Sequence, residues 1–206
     1  MVERGLAWAV VHVRGGGCLG PVWHEAGRGS AKPLGVEDLL AAAQLLLRGG
    51  WTGAGGLALV AESAGGWLAG ALINNHPQLL RAVVLTVPSL DVLTSMAVDA
   101  DGDAAELGDV RHDRSAYESV MRWDPYPNVG VKEPMPPMMV RTALFDERVG
   151  YWEAAKYVAK LRVAARSAAA GEQHSPLLLQ VKPGEHLSYN TIPDNAKLAA
   201  FLDAAF

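Results

Sequence analysis

Short apolar stretches alternate along this chain with longer stretches whose apolar positions recur at helical spacing. A continuous apolar run bounded by Gly, Pro or charged residues is typical of a strand buried on both faces of a sheet. Strands are predicted at residues 6–13, 57–61, 81–87, 136–145 and 177–181. Helices are predicted at residues 35–47, 64–74, 151–165 and 194–205. Strands that alternate with helices predict the α/β class, a mostly parallel sheet with helices on both faces.

A polar, Asp-rich insertion at about residues 97–133 interrupts this alternation. One helix is predicted within it, near residues 115–122. Such an insertion either lines a substrate site or runs over the surface, and the sequence leaves both possibilities open.

Composition narrows the function classes. The chain has 206 residues, 50% of them apolar and 19% charged, which suits one domain with a large core and excludes disorder. The net charge of −4 without a run of Lys or Arg argues against nucleic acid and membrane partners. The single cysteine, Cys18, excludes a disulfide framework and a cysteine-rich zinc site. No run of about 18 apolar residues occurs, and the N-terminus lacks the layout of a signal peptide. We therefore expect a cytoplasmic protein of undetermined oligomeric state.

A serine stands where the strand at 57–61 turns into the next helix. Ser63 lies within the stretch AESAGG (61–66), which has small residues two positions before and after the serine. This layout fits a nucleophile elbow, whose tight turn admits only small side chains at those positions. Ala61 replaces the first glycine of the usual Gly-x-Ser-x-Gly pattern. A serine that merely caps the helix is the alternative.

An acid and a histidine follow two later strands. Asp146 comes directly after the strand at 136–145, and His186 lies shortly after the strand at 177–181. The carboxyl ends of parallel strands meet at one edge of a sheet, so Ser63, Asp146 and His186 are expected close together. Their chain order is that of an α/β-hydrolase triad. Taken singly, Asp146 could cap a helix and His186 could be an ordinary loop histidine.

The chemistry of these residue types suggests their roles. A serine hydroxyl is a weak nucleophile until an imidazole takes its proton, so His186 is the predicted base for Ser63. Asp146 would fix the tautomer of His186 and stabilise the imidazolium. The backbone N–H of Ala64 is the predicted oxyanion donor. The other histidines have no metal-ligand companion at suitable spacing, so no metal is expected.

The stretch GGGCLG (15–20) is a rival motif, because it matches the Gly-x-Gly-x-x-Gly of dinucleotide-binding loops. Glu37 and Asp38 even fall near the distance expected for a ribose-binding acid. However, Pro and Gly residues make the stretch after it a poor helix, and the two acids open a helix instead of ending a strand. No cofactor is therefore predicted.

Taken together, these motifs resemble the catalytic domain of the prolyl oligopeptidase family of serine peptidases, oligopeptidase B and prolyl endopeptidase-like proteins above all. The resemblance covers nearly the whole chain. It rests on HVRGGG (12–17), SAGG (63–66), VP (87–88), WDPYPNV (123–129), DERV (146–149), Gly184 and His186.

The resemblance implies an α/β-hydrolase fold that cleaves small peptides or related acyl compounds with Ser63, Asp146 and His186. Arg148 matches the family arginine that contacts the substrate backbone, and a structural ion pair is its alternative role. Ala61 also occurs in the prolyl endopeptidase-like branch, which points to esterase activity, and the residues around Glu106 do not support a preference for basic side chains. The alternatives are an esterase- or thioesterase-like enzyme, a catalytically weak protein, or a non-catalytic interaction module.

The resemblance also bears on the start of the chain. In the α/β-hydrolase sheet, the strand at 6–13 would be the fourth and the strand at 57–61 the fifth, with the third between them. Nothing before Leu6 can supply that third strand or the second oxyanion donor on the loop after it, and no propeller-like repeat occurs. We therefore expect residues 1–206 to be a hydrolase domain without its N-terminal strands, with low activity and low solubility.

Overall fold

Parallel strands form the centre of the molecule. The computed structural model describes residue 3 and residues 5–53, 56–98, 104–130, 135–168 and 175–206. Its strands are β1 (Leu57–Glu62), β2 (Leu80–Thr86), β3 (Met138–Ala143) and β4 (Leu177–Lys182). They lie side by side in that order, and each runs parallel to its neighbours. The predicted parallel sheet and these four strands are confirmed.

Helices connect the strands at the predicted places. They are α1 (Pro21–Glu25), α2 (Pro33–Arg48), α3 (Gly65–Asn75), α4 (Val92–Val98), α5 (Ala104–Leu107), α6 (Arg114–Met121), α7 (Tyr151–Ala168) and α8 (Ile192–Ala205). Single 3₁₀ turns occur at Gly29–Ala31 and Pro77–Leu79. The long helices α2, α3, α7 and α8 and the insertion helix α6 correspond to the predicted ones, whereas α1, α4 and α5 were not predicted.

Helices cover both faces of the sheet, as predicted. Successive side chains of a strand point to opposite faces. On β2, Val83 and Leu85 join the core beneath α3 and α7, while Ala82 and Val84 pack against Leu202 of α8. Because both faces are covered, β2 is buried at almost every position.

Residues 6–13 do not form the predicted buried strand. Trp8 and Val10 are 60% and 67% exposed. Within the described chain, the N–H groups of residues 6–12 donate to no backbone carbonyl. An apolar cavity of about 900 Å³ separates this segment from the outer edge of β1, the side away from β2. Strands of a sheet lie about 4.8 Å apart, and no strand of the described residues pairs with this segment, so its apolar pattern does not produce a ladder.

The chain that follows this segment is tied to α2. Arg14 donates through Nε and a terminal nitrogen to the two carboxylate oxygens of Asp38, at 2.8 and 2.6 Å. One of the two acids of the rival nucleotide motif, Asp38, is thus already paired. The glycine stretch leads into α1, a helix of only 5 residues, and no strand of the described chain precedes it. Within the described residues, the glycine stretch is therefore not flanked by the strand and long helix of a dinucleotide-binding loop.

Candidate active site

Ser63 occupies the turn between β1 and α3 in a left-handed backbone conformation, with φ of 52°. A non-glycine residue in this region is uncommon and marks a constrained turn. The Ser63 N–H donates to the Thr86 carbonyl at 3.0 Å. The Ser63 carbonyl accepts from the N–H groups of Gly66 and Ser89, at 2.8 and 3.0 Å. Backbone hydrogen bonds on both sides therefore hold the serine in place.

The small residues around Ser63 have different steric demands. A Cβ on Gly66 would lie 2.5 Å from the Cβ of Pro88, so this position requires glycine. A Cβ on Gly65 would lie 3.7 Å from the Cβ of Ala61, which is an ordinary contact. The methyl group of Ala61 is therefore compatible with the turn.

The three predicted site residues form one chain of hydrogen bonds. His186 Nε2 lies 2.9 Å from Ser63 Oγ, and His186 Nδ1 lies 2.7 Å from Asp146 Oδ2. The other carboxylate oxygen accepts from the N–H groups of Arg148 and Val149, both at 2.9 Å. Since a carboxylate only accepts, Nδ1 carries a proton, and in the neutral imidazole Nε2 then presents its lone pair to the serine hydroxyl. The order of the strands thus places Ser63, His186 and Asp146 next to one another, as expected from their positions after three parallel strands.

The loop that carries His186 is fastened at several points. Gly184 has φ of 146°, and a Cβ there would collide with Ser188. Ser188 Oγ accepts from the Glu185 N–H at 2.7 Å. The Tyr189 hydroxyl donates to the Thr142 carbonyl on β3 at 2.9 Å. These contacts fix the imidazole against the strand that leads to Asp146.

The other two predicted residues lie beside the triad with unused donors. Ala64 directly precedes α3, and among the described residues its N–H donates to no backbone carbonyl. Arg148 is exposed, and its guanidinium forms no ion pair with any residue that the structure describes. The alternative of a structural ion pair for Arg148 finds no partner in that part of the chain.

Two buried carboxylates hold the loop after β2, which contacts Ser63 through Ser89. Glu153 accepts from the Leu90 and Asp91 N–H groups at 2.7 and 2.8 Å. Asp124 accepts from the N–H groups of Val92 and Leu93, the first two residues of α4, at 3.1 and 2.9 Å. Burial raises the pKa of Asp124 to about 7 and also raises the pKa of Glu153. Asp124 belongs to the WDPYPNV stretch (123–129) noted in the sequence, whereas no local motif marked Glu153.

The polar insertion packs against the helix that follows Ser63. Trp67, in the first turn of α3, packs against Trp123 with ring centroids 4.7 Å apart and ring planes tilted by 49°. Glu106 of α5 accepts from His24 at 2.7 Å and from Lys32 at 3.1 Å. Burial acts in the opposite direction, but these hydrogen bonds hold the pKa of Glu106 below its ordinary value. Residues 99–103 and 131–134 of the insertion lie outside the described residues.

Across the described ranges, no cluster of His, Cys, Asp and Glu is arranged to hold a metal ion. No helix in this part of the chain combines the length and apolar character that crossing a membrane requires.

Comparison with known proteins decides the family. The sequence profile of the prolyl oligopeptidase family matches residues 1–206. The chain belongs to this family. It is 34% identical over 207 residues to the uncharacterized peptidase y4sO of Sinorhizobium fredii, covering 98% of this chain and 28% of that protein. It is 36% identical over 193 residues to human prolyl endopeptidase-like, covering 89% of this chain and 26% of that protein.

Solved structures of the family share the fold. Oligopeptidase B from Trypanosoma brucei, with covalently bound antipain, superposes with a TM-score of 0.84 and 31% identity. That match covers 94% of this chain and 28% of the other. Oligopeptidase B from Leishmania major gives a TM-score of 0.79 and 32% identity, over 95% of this chain and 27% of the other. The predicted α/β-hydrolase fold is confirmed, and the chain spans about a quarter of the length of these relatives.

Proposed function

We propose that this prolyl oligopeptidase family chain is a serine hydrolase that cleaves peptide bonds through an acyl-enzyme on Ser63. The observation that carries the proposal is the hydrogen-bond chain from Asp146 through His186 to Ser63, at 2.7 and 2.9 Å. Both bonds have the length of strong hydrogen bonds, and the histidine tautomer is the one that general-base catalysis needs. Residues 1–206 would act as a catalytic domain.

Acylation begins when Ser63 Oγ attacks the carbonyl carbon of the scissile bond and His186 Nε2 takes the hydroxyl proton. The resulting imidazolium is stabilised by Asp146, which keeps its charge. Collapse of the tetrahedral intermediate breaks the C–N bond, and His186 delivers the proton to the leaving amine. General acid–base catalysis of this kind contributes about 10²–10⁴-fold.

Deacylation repeats the sequence with water as the nucleophile. His186 takes a proton from the water, whose oxygen attacks the acyl carbon of the ester on Ser63. The ester C–O bond breaks, the proton returns to Ser63 Oγ, and the carboxylic acid product leaves. No cofactor or metal is needed for either half of the reaction.

Two further groups would bind the substrate. The Ala64 N–H is free to donate to the oxyanion, and a single such donor is worth about 10²–10³ in rate. Arg148 lies two residues from Asp146 and forms no ion pair with a described residue, and it would donate to a backbone carbonyl of a small peptide. Glu106 already accepts hydrogen bonds from His24 and Lys32, so it is not a free acceptor for a basic substrate side chain.

A fluorophosphonate probe tests the proposal, because it phosphonylates only a serine that has been activated. We expect a stoichiometric adduct on Ser63, located by peptide mass spectrometry. Ser63→Ala should abolish the adduct, and His186→Ala should slow it by at least about 10²-fold. Ser115→Ala, which removes an exposed serine of α6, is the matched control and should label like the wild type.

Substrate choice then separates the remaining functions. A peptidase would cleave both a small peptide amide and an activated ester, whereas an esterase would turn over only the ester. Well-folded protein that takes up no probe would contradict the proposal and favour a non-catalytic interaction module.

A further inference from the structure

Arg141 is a buried cation in the middle of the sheet. It lies on β3 and is 3% exposed. No carboxylate of the described residues pairs with it directly, and its recorded partners are a hydroxyl and a carbonyl. Burial lowers the pKa of Arg141, and the charge of Asp194 acts in the opposite direction. A guanidinium in such a place is costly unless its hydrogen bonds are well made.

One arm of Arg141 reaches the residue that anchors the serine. Nε and a terminal nitrogen both donate to Thr86 Oγ1, at 3.2 and 2.7 Å. The carbonyl of this same Thr86 accepts the N–H of Ser63. Thr86 is itself buried, so its hydroxyl has no access to bulk water as an alternative partner. The position of Ser63 therefore depends on a residue that Arg141 holds.

The other arm reaches the far end of the histidine loop. A second terminal nitrogen of Arg141 donates to the Asp194 carbonyl at 3.0 Å, in the first turn of α8. The guanidinium carbon also lies 5.1 Å from the ring centroid of Tyr189, three residues beyond His186. Lys182 contacts the same ring at 4.1 Å and pairs with the Asp194 carboxylate at 2.5 Å. The two cations thus hold Tyr189 and the start of α8 together.

We propose that Arg141 is a positioning residue that sets the separation between Ser63 Oγ and His186 Nε2. The proposal rests on the function proposed above. Arg141 touches neither reacting atom. Its planar guanidinium donates both to Thr86, which holds the serine turn, and to Asp194, which follows the histidine loop. A side chain with one hydrogen bond could not connect the two.

The test compares Arg141→Met with Arg141→Lys. Methionine keeps much of the volume but removes every donor, and a misplacement of about 1 Å in an active site can cost 10²-fold. We expect kcat on an activated ester, and the rate of fluorophosphonate labelling, to fall about 10–100-fold in Arg141→Met while KM changes by less than about twofold. Lysine can reach one acceptor but not both, so Arg141→Lys should recover part of the loss.

Arg162→Met is the matched control, because Arg162 lies at an exposed position and, among the described residues, donates only to the Leu177 carbonyl. Its kcat should stay at the wild-type value. Thr86→Val removes the shared acceptor, and we expect its effect and that of Arg141→Met to be far from additive in the double variant. Additive effects of the two substitutions on kcat would contradict the proposal. It would also be contradicted if the loss of rate in Arg141→Met disappeared once the rate is divided by the fraction of folded protein.

A ¹H NMR measurement, which needs no catalytic turnover, tests the role of Arg141 separately from the proposed hydrolase function. The proton between His186 Nδ1 and Asp146 should give a low-field ¹H resonance in the wild type that broadens or vanishes in Arg141→Met and persists in Arg162→Met. An unchanged resonance and labelling rate in Arg141→Met would overturn the positioning role and leave the hydrolase intact. Folded wild-type protein that never labels would overturn the hydrolase, while the resonance still decides the role of Arg141.

Discussion

Gly66 is the residue of the Ser63 turn with no room for a side chain. A Cβ there would lie 2.5 Å from Pro88 Cβ and 2.8 Å from the Ser89 nitrogen, which belong to a rigid ring and to the backbone. We expect Gly66→Ala to lower the free energy of unfolding by about 1–3 kcal/mol and to slow labelling of Ser63. Urea denaturation measures the first effect.

Gly65→Ala is the natural companion variant, because its added Cβ meets only an ordinary 3.7 Å contact with Ala61. Its stability should stay within about 1 kcal/mol of the wild type. Because alanine favours a helix more than glycine does, propensity cannot cause a loss in either variant. Equal losses in the two variants would therefore contradict the assignment of the Gly66→Ala effect to the contact with Pro88.

Asp124 predicts a dependence of stability on pH. Burial raises its pKa to about 7 in the folded state, against 3.8 for the ordinary group, even though hydrogen bonds from Leu93 and Val92 oppose the shift. Between about pH 4 and 7, the folded protein therefore holds a proton that the unfolded chain has released. Stability is then greatest at the acidic end and falls as the pH rises through 7, by at most about 4 kcal/mol.

Urea denaturation at a series of pH values measures this dependence in the wild type and in Asp124→Asn. The amide does not titrate, so the variant should show a flatter profile between pH 5 and 8. Profiles of equal slope would assign the pH dependence to other groups, Glu153 first among them.

Individual residues differ in how well sequence could predict their roles. Ser63, Asp146 and His186 were predictable because each follows a strand, and parallel strands deliver such residues to one edge. Thr86 and Arg141 were not, since their roles depend on which strand lies beside which. Arg141 offered one signal, a charge within an otherwise apolar strand.

At the scale of elements, the predicted strands within the sheet were identified correctly and the one at 6–13 was not. A local sequence pattern shows whether a segment is apolar and suited to an extended conformation. This predicts a strand correctly where another strand is available to pair with it, but the pattern does not show whether such a partner strand is present. β2 lies between two strands, whereas residues 6–13 face a cavity.

The ion pair between Arg14 and Asp38 ties the chain directly after residues 6–13 to α2. The Arg14 guanidinium keeps the pKa of Asp38 below its ordinary value, as expected for a bidentate pair. We expect Asp38→Ala to increase the rate of tryptic cleavage after Arg14 severalfold, because the segment can then open locally. Mass spectrometry of the first fragments released measures the change.

Glu37→Ala is the control, since Glu37 is the exposed neighbour of Asp38 on the same helix. It should leave cleavage after Arg14 unchanged. If Asp38→Ala were cleaved no faster than Glu37→Ala, some contact other than the ion pair would hold the segment.

At the scale of the whole molecule, the outer edge of β1 is the feature that favours association between chains. In the described part of the chain, no strand pairs with it, and the cavity beside it is apolar. Unpaired edges of this kind template association between chains, and charged side chains are a natural protection. We expect the wild type to self-associate at micromolar concentration, as measured by size-exclusion chromatography with light scattering.

Ala58→Lys tests the origin of that association, because Ala58 is an exposed residue of β1. The added charge should shift the protein towards the monomer. Ala41→Lys adds the same charge at an exposed position of α2 and should not. Association that responds equally to both variants would reflect net charge and not the strand edge.

Because the edge of β1 is open, we expect the thermal midpoint of unfolding to depend on the protein concentration as well as on the chain itself. Any partner that pairs with the folded edge and not with the unfolded chain stabilises the fold by mass action. The melting temperature should therefore rise as the protein is concentrated, and the rise should be smaller in Ala58→Lys. Melting temperatures measured over a dilution series would then give the dissociation constant for self-association through this edge.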